Sequence, residues 1–116
     1  MPRDLETLAR EIAAFAAARQ WERFHSPKNL AMALSVEAAE VLELFQWLTQ
    51  AESRNLTEAQ RERVREEVGD VLIYLVRLAD QCGIDPLDAA FRKLEKNAEK
   101  YPVETSKGHA GKPSQH

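Results

Sequence analysis

The chain has 116 residues, 44% of them hydrophobic and 30% charged, enough for one domain with one core and unlike the composition of a disordered segment. A formal net charge of −3 works against a phosphate-backbone surface, so a polyphosphate ligand requires either a local basic patch or a cation brought from solution. Cys82 is the single cysteine, Met1 to Glu6 lacks the apolar run of a signal peptide, and Val71 to Val76 falls far short of the ~18 residues of a membrane span, which together lead to the expectation of a cytoplasmic protein without a disulfide.

The first helix is expected from an N-cap at Asp4 to about Arg19, because Leu5, Leu8, Ile12 and Phe15 recur at intervals of three and four. Trp21 to His25 is irregular in pattern. Ser26-Pro27 then opens a second helix, as cap plus first-turn proline, that is expected to reach about Gln50. Ala51 to Leu56 reads as a loop. Thr57 with Gln60 fits a capping box and starts a third helix running to about Cys82, with Gly83 as its stop. Asp85-Pro86 starts a fourth, which ends before Tyr101-Pro102 because a residue preceding proline avoids helical angles. The domain so defined spans residues 1–102, and 103–116 reads as a mobile tail. No strand-like alternation is present, so the expected class is all-α, as an antiparallel four-helix bundle. The third helix is apolar nearly all round over Val71 to Leu78. Ile73 and Val76 point away from the face made by Val64, Val68, Val71 and Leu75, which leads to the expectation of a dimer or larger assembly.

The informative residues are acids on apolar faces. Leu30, Leu34, Val41, Leu44 and Leu48 form the core stripe of the second helix, and Glu37 falls in its middle with Glu40 at the edge. Glu67 sits at the same spacings beside Val64 and Val71, and Asp70 follows it by three. An antiparallel pairing would bring both acidic pairs together. Bare anions so close would be forced to take up protons, whereas a divalent cation resolves the conflict, and oxygen-only ligands suit Mg²⁺, Mn²⁺ or Ca²⁺. The spacing alone fits solvated helix acids better than a metal site, but Glu37 at a stripe centre needs a partner of some kind. A di-iron bundle would need Glu-x-x-His on two helices; only Glu22 to His25 has that form. A non-catalytic interaction module would have no use for a buried acid.

Trp47 follows Glu43 by four and extends the acidic side of the second helix, as Tyr74 follows Asp70 on the third; flat rings there could stack a nucleobase or simply edge the core. Trp21 and His25 carry the same ambiguity. The combination of Trp21-Glu22-Arg23-Phe24-His25, of Glu37-Ala38-Ala39-Glu40 running into Glu43-Leu44-Phe45-Gln46-Trp47, of Glu66-Glu67-Val68-Gly69-Asp70, and of Lys93 and Asn97 ahead of Tyr101-Pro102 resembles the MazG-like all-α NTP pyrophosphohydrolases, with most likeness to their dCTP pyrophosphatase branch. The resemblance covers about Leu5 to Pro102. It implies Glu37, Glu40, Glu67 and Asp70 as Mg²⁺ ligands, Trp21, His25, Trp47 and Tyr74 in the substrate pocket, and Lys93 and Asn97 near the phosphates of a nucleoside triphosphate, in a homodimer or homotetramer. The chain departs from the broader pattern at Val36, where an acid precedes the first ligand, and from the dCTP-specific branch at Ile12, where that branch carries a base-reading histidine. The implied reaction releases pyrophosphate from dCTP or a modified dCTP; a broader house-cleaning activity is the alternative. Glu43 and Glu66 are candidates for a general base by proximity only.

Overall fold

The computed structural model describes residues 2–108, which form six α-helices and one 3₁₀ turn, with no strand among them. The all-α class expected from the sequence is the class observed. Helix α1 (Leu5–Ala18) opens where the Asp4 carboxylate accepts the Thr7 N–H at 2.7 Å. It closes in a Schellman arrangement: Trp21 N–H donates to Ala16 O at 2.9 Å and Gln20 N–H to Ala17 O at 3.1 Å, with Gln20 left-handed at φ 56°. That closure turns Trp21 back toward α1. The irregular stretch winds into a 3₁₀ turn, Glu22–Phe24, before Ser26 caps α2 (Pro27–Phe45) by accepting the Asn29 N–H.

Helix α2 ends five residues before the expected Gln50. The cause is a competing start signal. Thr49 and Glu52 exchange side-chain and backbone hydrogen bonds of 2.8 and 3.1 Å in a capping box, which opens the short α3 (Gln50–Ser53) where a loop was expected. Helix α4 (Glu58–Gln81) starts at the expected Thr57–Gln60 box and ends at Gly83, φ 67°, with Ile84 N–H on Ala79 O and Gly83 N–H on Asp80 O.

The chain divides into two compact units, Met1–Ile84 and Asp85–His116. In the first, α4 packs against α2 and α1. Leu44 lines one crevice with Gln60 and Val64, Glu37 meets Glu67 and Asp70, and His25 meets Arg77. Residue numbers fall along α2 as they rise along α4, so the two helices run antiparallel. The α2 stripe is as expected: Leu30 is buried, and Leu34, Glu37, Val41, Leu44 and Leu48 are half-buried.

The α4 face differs from expectation. Gln60, Val64, Glu67, Gly69, Val71, Tyr74 and Leu78 are the partly covered positions, while Val68 is 54% exposed and Leu75 is also exposed. Val76, expected to need cover from another subunit, is 1% exposed within this chain. A helix that packs on two neighbours buries two stripes, so its apolar residues do not identify one face by themselves. The apolar residues left open are Val68, Leu72 and Leu75, at spacings of four and three, and beside them Ile73, which unlike Val76 stays exposed within this chain.

In the second unit the Asp85 carboxylate accepts the Leu87 and Asp88 N–H groups and opens α5 (Pro86–Lys100). Leu87, Phe91 and Leu94 share one face of that helix. The expected tail begins instead with a helical turn, α6 (Val103–Ser106); residues 109–116 lie outside the described residues.

Candidate metal centre

The antiparallel register of α2 and α4 sets Glu37 and Glu40, one turn apart on the first helix, against Glu67 and Asp70 on the second. One carboxylate oxygen from each of Glu37, Glu67 and Asp70 lies within 4.8 Å of the other two. Glu40 faces the same cluster, and its carboxyl and charge act on both Glu37 and Glu67. All four acids singled out in the sequence therefore meet at one place.

Their protonation reveals the conflict. Burial raises the Glu37 carboxyl first, the adjacent Glu40 carboxyl and charge second, and the charges of Asp70 and Glu67 last, together to about 7. Glu67 is raised as well, by burial and then by Glu40 and Asp70. One oxygen of Glu37 and one of Glu67 are buried with no hydrogen-bond partner. The ion pairs of the described residues are Arg10–Glu6, Arg65–Glu62, Arg77–Asp80 and Arg92–Asp88, none of which involves the cluster. A structural acid paired with Arg or Lys, the alternative role for Glu37, is therefore not what this site contains. Buried carboxylates without a basic partner are what a hard cation satisfies, and the donor set, all oxygen, suits Mg²⁺ or Ca²⁺ rather than zinc. Oxygens on one Mg²⁺ at ~2.1 Å lie about 3.0 Å apart when adjacent and about 4.2 Å apart when opposite, so closing the cluster onto an ion takes on the order of an ångström of side-chain movement. The residues fit a divalent metal.

The aromatic and basic candidates fall into four places. Trp21 and His25 meet beside the start of α2, ring centroids 6.4 Å apart at 64°, with Phe15 edge-on to Trp21 at 5.7 Å. Tyr74 is half-buried two turns from Glu67, on the stripe that faces α2. Trp47 is 87% exposed and follows the end of α2, so the helical spacing from Glu40 and Glu43 no longer applies to it. Lys93, exposed, and Asn97, half-buried, lie one turn apart on α5 in the second unit. Glu43 and Glu66 are both exposed.

Arg77 was given no role in the sequence reading, yet it is 5% exposed and donates from Nε to His25 Nδ1 at 3.1 Å. The signal was available: an arginine inside an apolar helix stretch cannot be buried without a partner.

An all-helical chain that gathers four acids between antiparallel helices defines a class of metal-dependent protein, and comparison with known proteins gives its family. The MazG-like family model matches residues 32–114. dCTP pyrophosphatase 1 of Rattus norvegicus is 46% identical over 110 residues, covering 93% of this chain and 65% of that protein; the Homo sapiens protein of the same name is 44% identical over the same shares. The chain thus spans just under two thirds of the length of these relatives. A pyrophosphatase from Archaeoglobus fulgidus, known from its crystal structure, is 43% identical with a TM-score of 0.81, over 88% of this chain and 95% of that one. The chain belongs to the MazG-like family, as its residues indicated.

Proposed function

We propose that the protein is a Mg²⁺-dependent pyrophosphohydrolase that cuts a deoxynucleoside triphosphate, dCTP or a modified dCTP, into the monophosphate and pyrophosphate. The observation that carries this reading is the four-acid cluster, with two buried carboxylate oxygens that no group among the described residues satisfies. Support for the substrate comes from the two dCTP pyrophosphatases at 44% and 46% identity.

Glu37, Glu40, Glu67 and Asp70 would hold the cation. When bound, it offsets the triphosphate charge and favours in-line attack by water with pyrophosphate as the leaving group. Glu37, raised to about 7, gives up its proton as that site forms, and the Glu67 carboxyl is raised in the same direction, which ties metal binding to pH. Trp21, His25, Trp47 and Tyr74 form the base-binding side of the reading, and Lys93 and Asn97 the phosphate side. Among the acids outside the cluster, Glu43 and Glu66 are the candidates for a general base.

The same proposal includes a cytoplasmic, homo-oligomeric protein, an antiparallel four-helix bundle paired as a dimer or dimer of dimers. Its support is the open apolar stripe Val68, Leu72 and Leu75, together with how little of the single chain is buried: Ala16, Leu30, Val76 and Ala79 are its buried apolar residues. Among the described residues no helix is long and apolar enough to cross a membrane. Broad house-cleaning activity is the alternative, and one residue counts toward it: Ile12 presents a half-buried hydrocarbon where the branch reads its base with histidine.

Assaying inorganic product across a panel of ribo- and deoxynucleoside triphosphates, with Mg²⁺ and with excess EDTA, tests the proposal. Pyrophosphate release that needs Mg²⁺ and is fastest with dCTP is the expected result. Orthophosphate as the sole inorganic product, or full turnover in EDTA, would contradict it.

A further inference from the structure

The bond between Arg77 and His25 fixes more than two side chains. A guanidinium is protonated at all working pH values and has no acceptor, so where Arg77 Nε donates to His25 Nδ1 the imidazole must present a lone pair there. The ring proton then sits on Nε2. Protonating Nδ1 would set N–H against N–H, and both burial and the Arg77 charge hold His25 below its usual value of 6.5. At neutral pH the ring is a neutral Nε2–H donor.

Its orientation is fixed on every side. Trp21 stands edge-on to it, the His25 N–H donates to Glu22 O at 3.1 Å, and the left-handed turn at Gln20 holds Trp21 against α1. Arg77 is in turn held by Asp80, whose Oδ2 accepts from Nη1 at 3.4 Å one turn along α4. Among the hydrogen bonds of the described residues, the His25 ring takes part through Nδ1 alone. The site therefore has a buried cation whose one long-range bond orients a half-buried imidazole and leaves its proton free to be donated. Anchoring the α1–α2 connection to α4 would not require this, because an apolar residue in place of a buried ion pair is often as stable.

We propose that Arg77 is a positioning residue: it holds His25 in the Nε2–H tautomer and in one orientation, so that this proton is offered to an acceptor on the base of the nucleotide. The inference rests on the proposed pyrophosphohydrolase reading for the identity of the ligand. At position 3 of the pairing edge cytosine presents an acceptor and thymine an N–H, while both bases carry an O2 acceptor. A donor of fixed tautomer directed at position 3 therefore suits cytosine, while a ring free to exchange tautomers could serve either.

Two measurements on the full chain test this. In the first, ¹⁵N spectra of the histidine-labelled protein without nucleotide should show His25 as the Nε2–H tautomer at pH 7.5, its signals assigned by their loss in His25→Gln. In Arg77→Met the signals should shift toward the mixed-tautomer average. An Nδ1–H tautomer in the parent, or an unchanged spectrum in Arg77→Met, would overturn the proposal. In the second, Arg77→Met should raise KM for dCTP roughly tenfold, as expected for a misplaced hydrogen-bond donor, with kcat within about twofold of the parent. Arg77→Lys, which keeps the charge but not the directed Nε–H, should fall between them, and its readings decide if Arg77→Met does not fold. Unchanged KM in a variant whose His25 signals have shifted would overturn the role toward substrate. A parent protein inactive on every triphosphate would instead overturn the functional reading, and with it that role, while the tautomer spectrum would still decide what Arg77 does to His25.

Discussion

Polar groups are buried at two levels of the α2–α4 side of the molecule, and they are treated in opposite ways. Near the start of α2, His25 and Arg77 satisfy each other, and Asp80 balances the charge. Two to three turns along, Glu37, Glu40, Glu67 and Asp70 face one another with no basic partner, and two of their oxygens satisfy nothing. The first site satisfies its buried cation with protein atoms alone and leaves over only the His25 Nε2–H, while the second has a gap that a proton or a cation would fill. Burial costs free energy at both, but only at the second does occupancy depend on what solution supplies.

The largest expected effect comes from removing the charge at the unsatisfied level. Glu37→Gln or Glu67→Gln should lower kcat by orders of magnitude, since a neutral amide oxygen is a poor ligand for a hard cation, while both proteins stay folded. Loss of folding with retained metal binding would place these acids in the structure rather than the site. Next in size is a pH effect. Between the ordinary carboxyl value of 4.5 and about 7, native Glu37 holds a proton that the unfolded chain has released. Its contribution to stability is therefore full below 4.5 and is lost as the pH rises through 7. In EDTA, the melting temperature of the parent relative to Glu37→Gln should fall from pH 5 to pH 8, and Mg²⁺ should cancel that fall because it binds the deprotonated form. A difference that is flat in pH would mean the carboxyls do not repel.

Smaller effects sharpen the comparison at its edges. Trp47→Ala should mainly raise KM, by an amount equivalent to the ~1–3 kcal/mol of base–aromatic stacking, and a collapsed kcat at constant KM would remove Trp47 from the base site. The two Schellman closures give the smallest effects. Gln20→Gly should stabilise and Gly83→Ala destabilise by about 1 kcal/mol each in denaturant titrations, since both positions are left-handed and a Cβ at 83 meets no atom within 4 Å.

The acid cluster was legible because α2 has a single buried stripe, and Glu37 interrupts it at a position where only a functional or paired acid belongs. The face of α4 was not legible for the opposite reason. Val68 and Leu75 fit a helical stripe as well as Glu67 and Tyr74 do, and only the presence of α1 on one side and α2 on the other decides which positions are covered. Leu48 continues the periodicity of α2 past its true end at Phe45, so apolar spacing concealed the Thr49–Glu52 restart that the capping residues themselves encode. At Arg77 the local pattern shows that a partner is needed, but that partner, His25, is 52 residues away and no local pattern identifies it.

The central claim is that the four carboxylates form a cation site, and melting temperatures of the parent and of Glu37→Gln in EDTA and in saturating Mg²⁺ at pH 8 test it most directly. A ligand that binds only the native state raises its stability with concentration, so Mg²⁺ should stabilise the parent strongly and Glu37→Gln much less. In EDTA, Glu37→Gln should melt at or above the parent temperature because a repulsion has been removed. A large drop in EDTA, with the Mg²⁺ stabilisation of Glu37→Gln equal to that of the parent, would contradict the account.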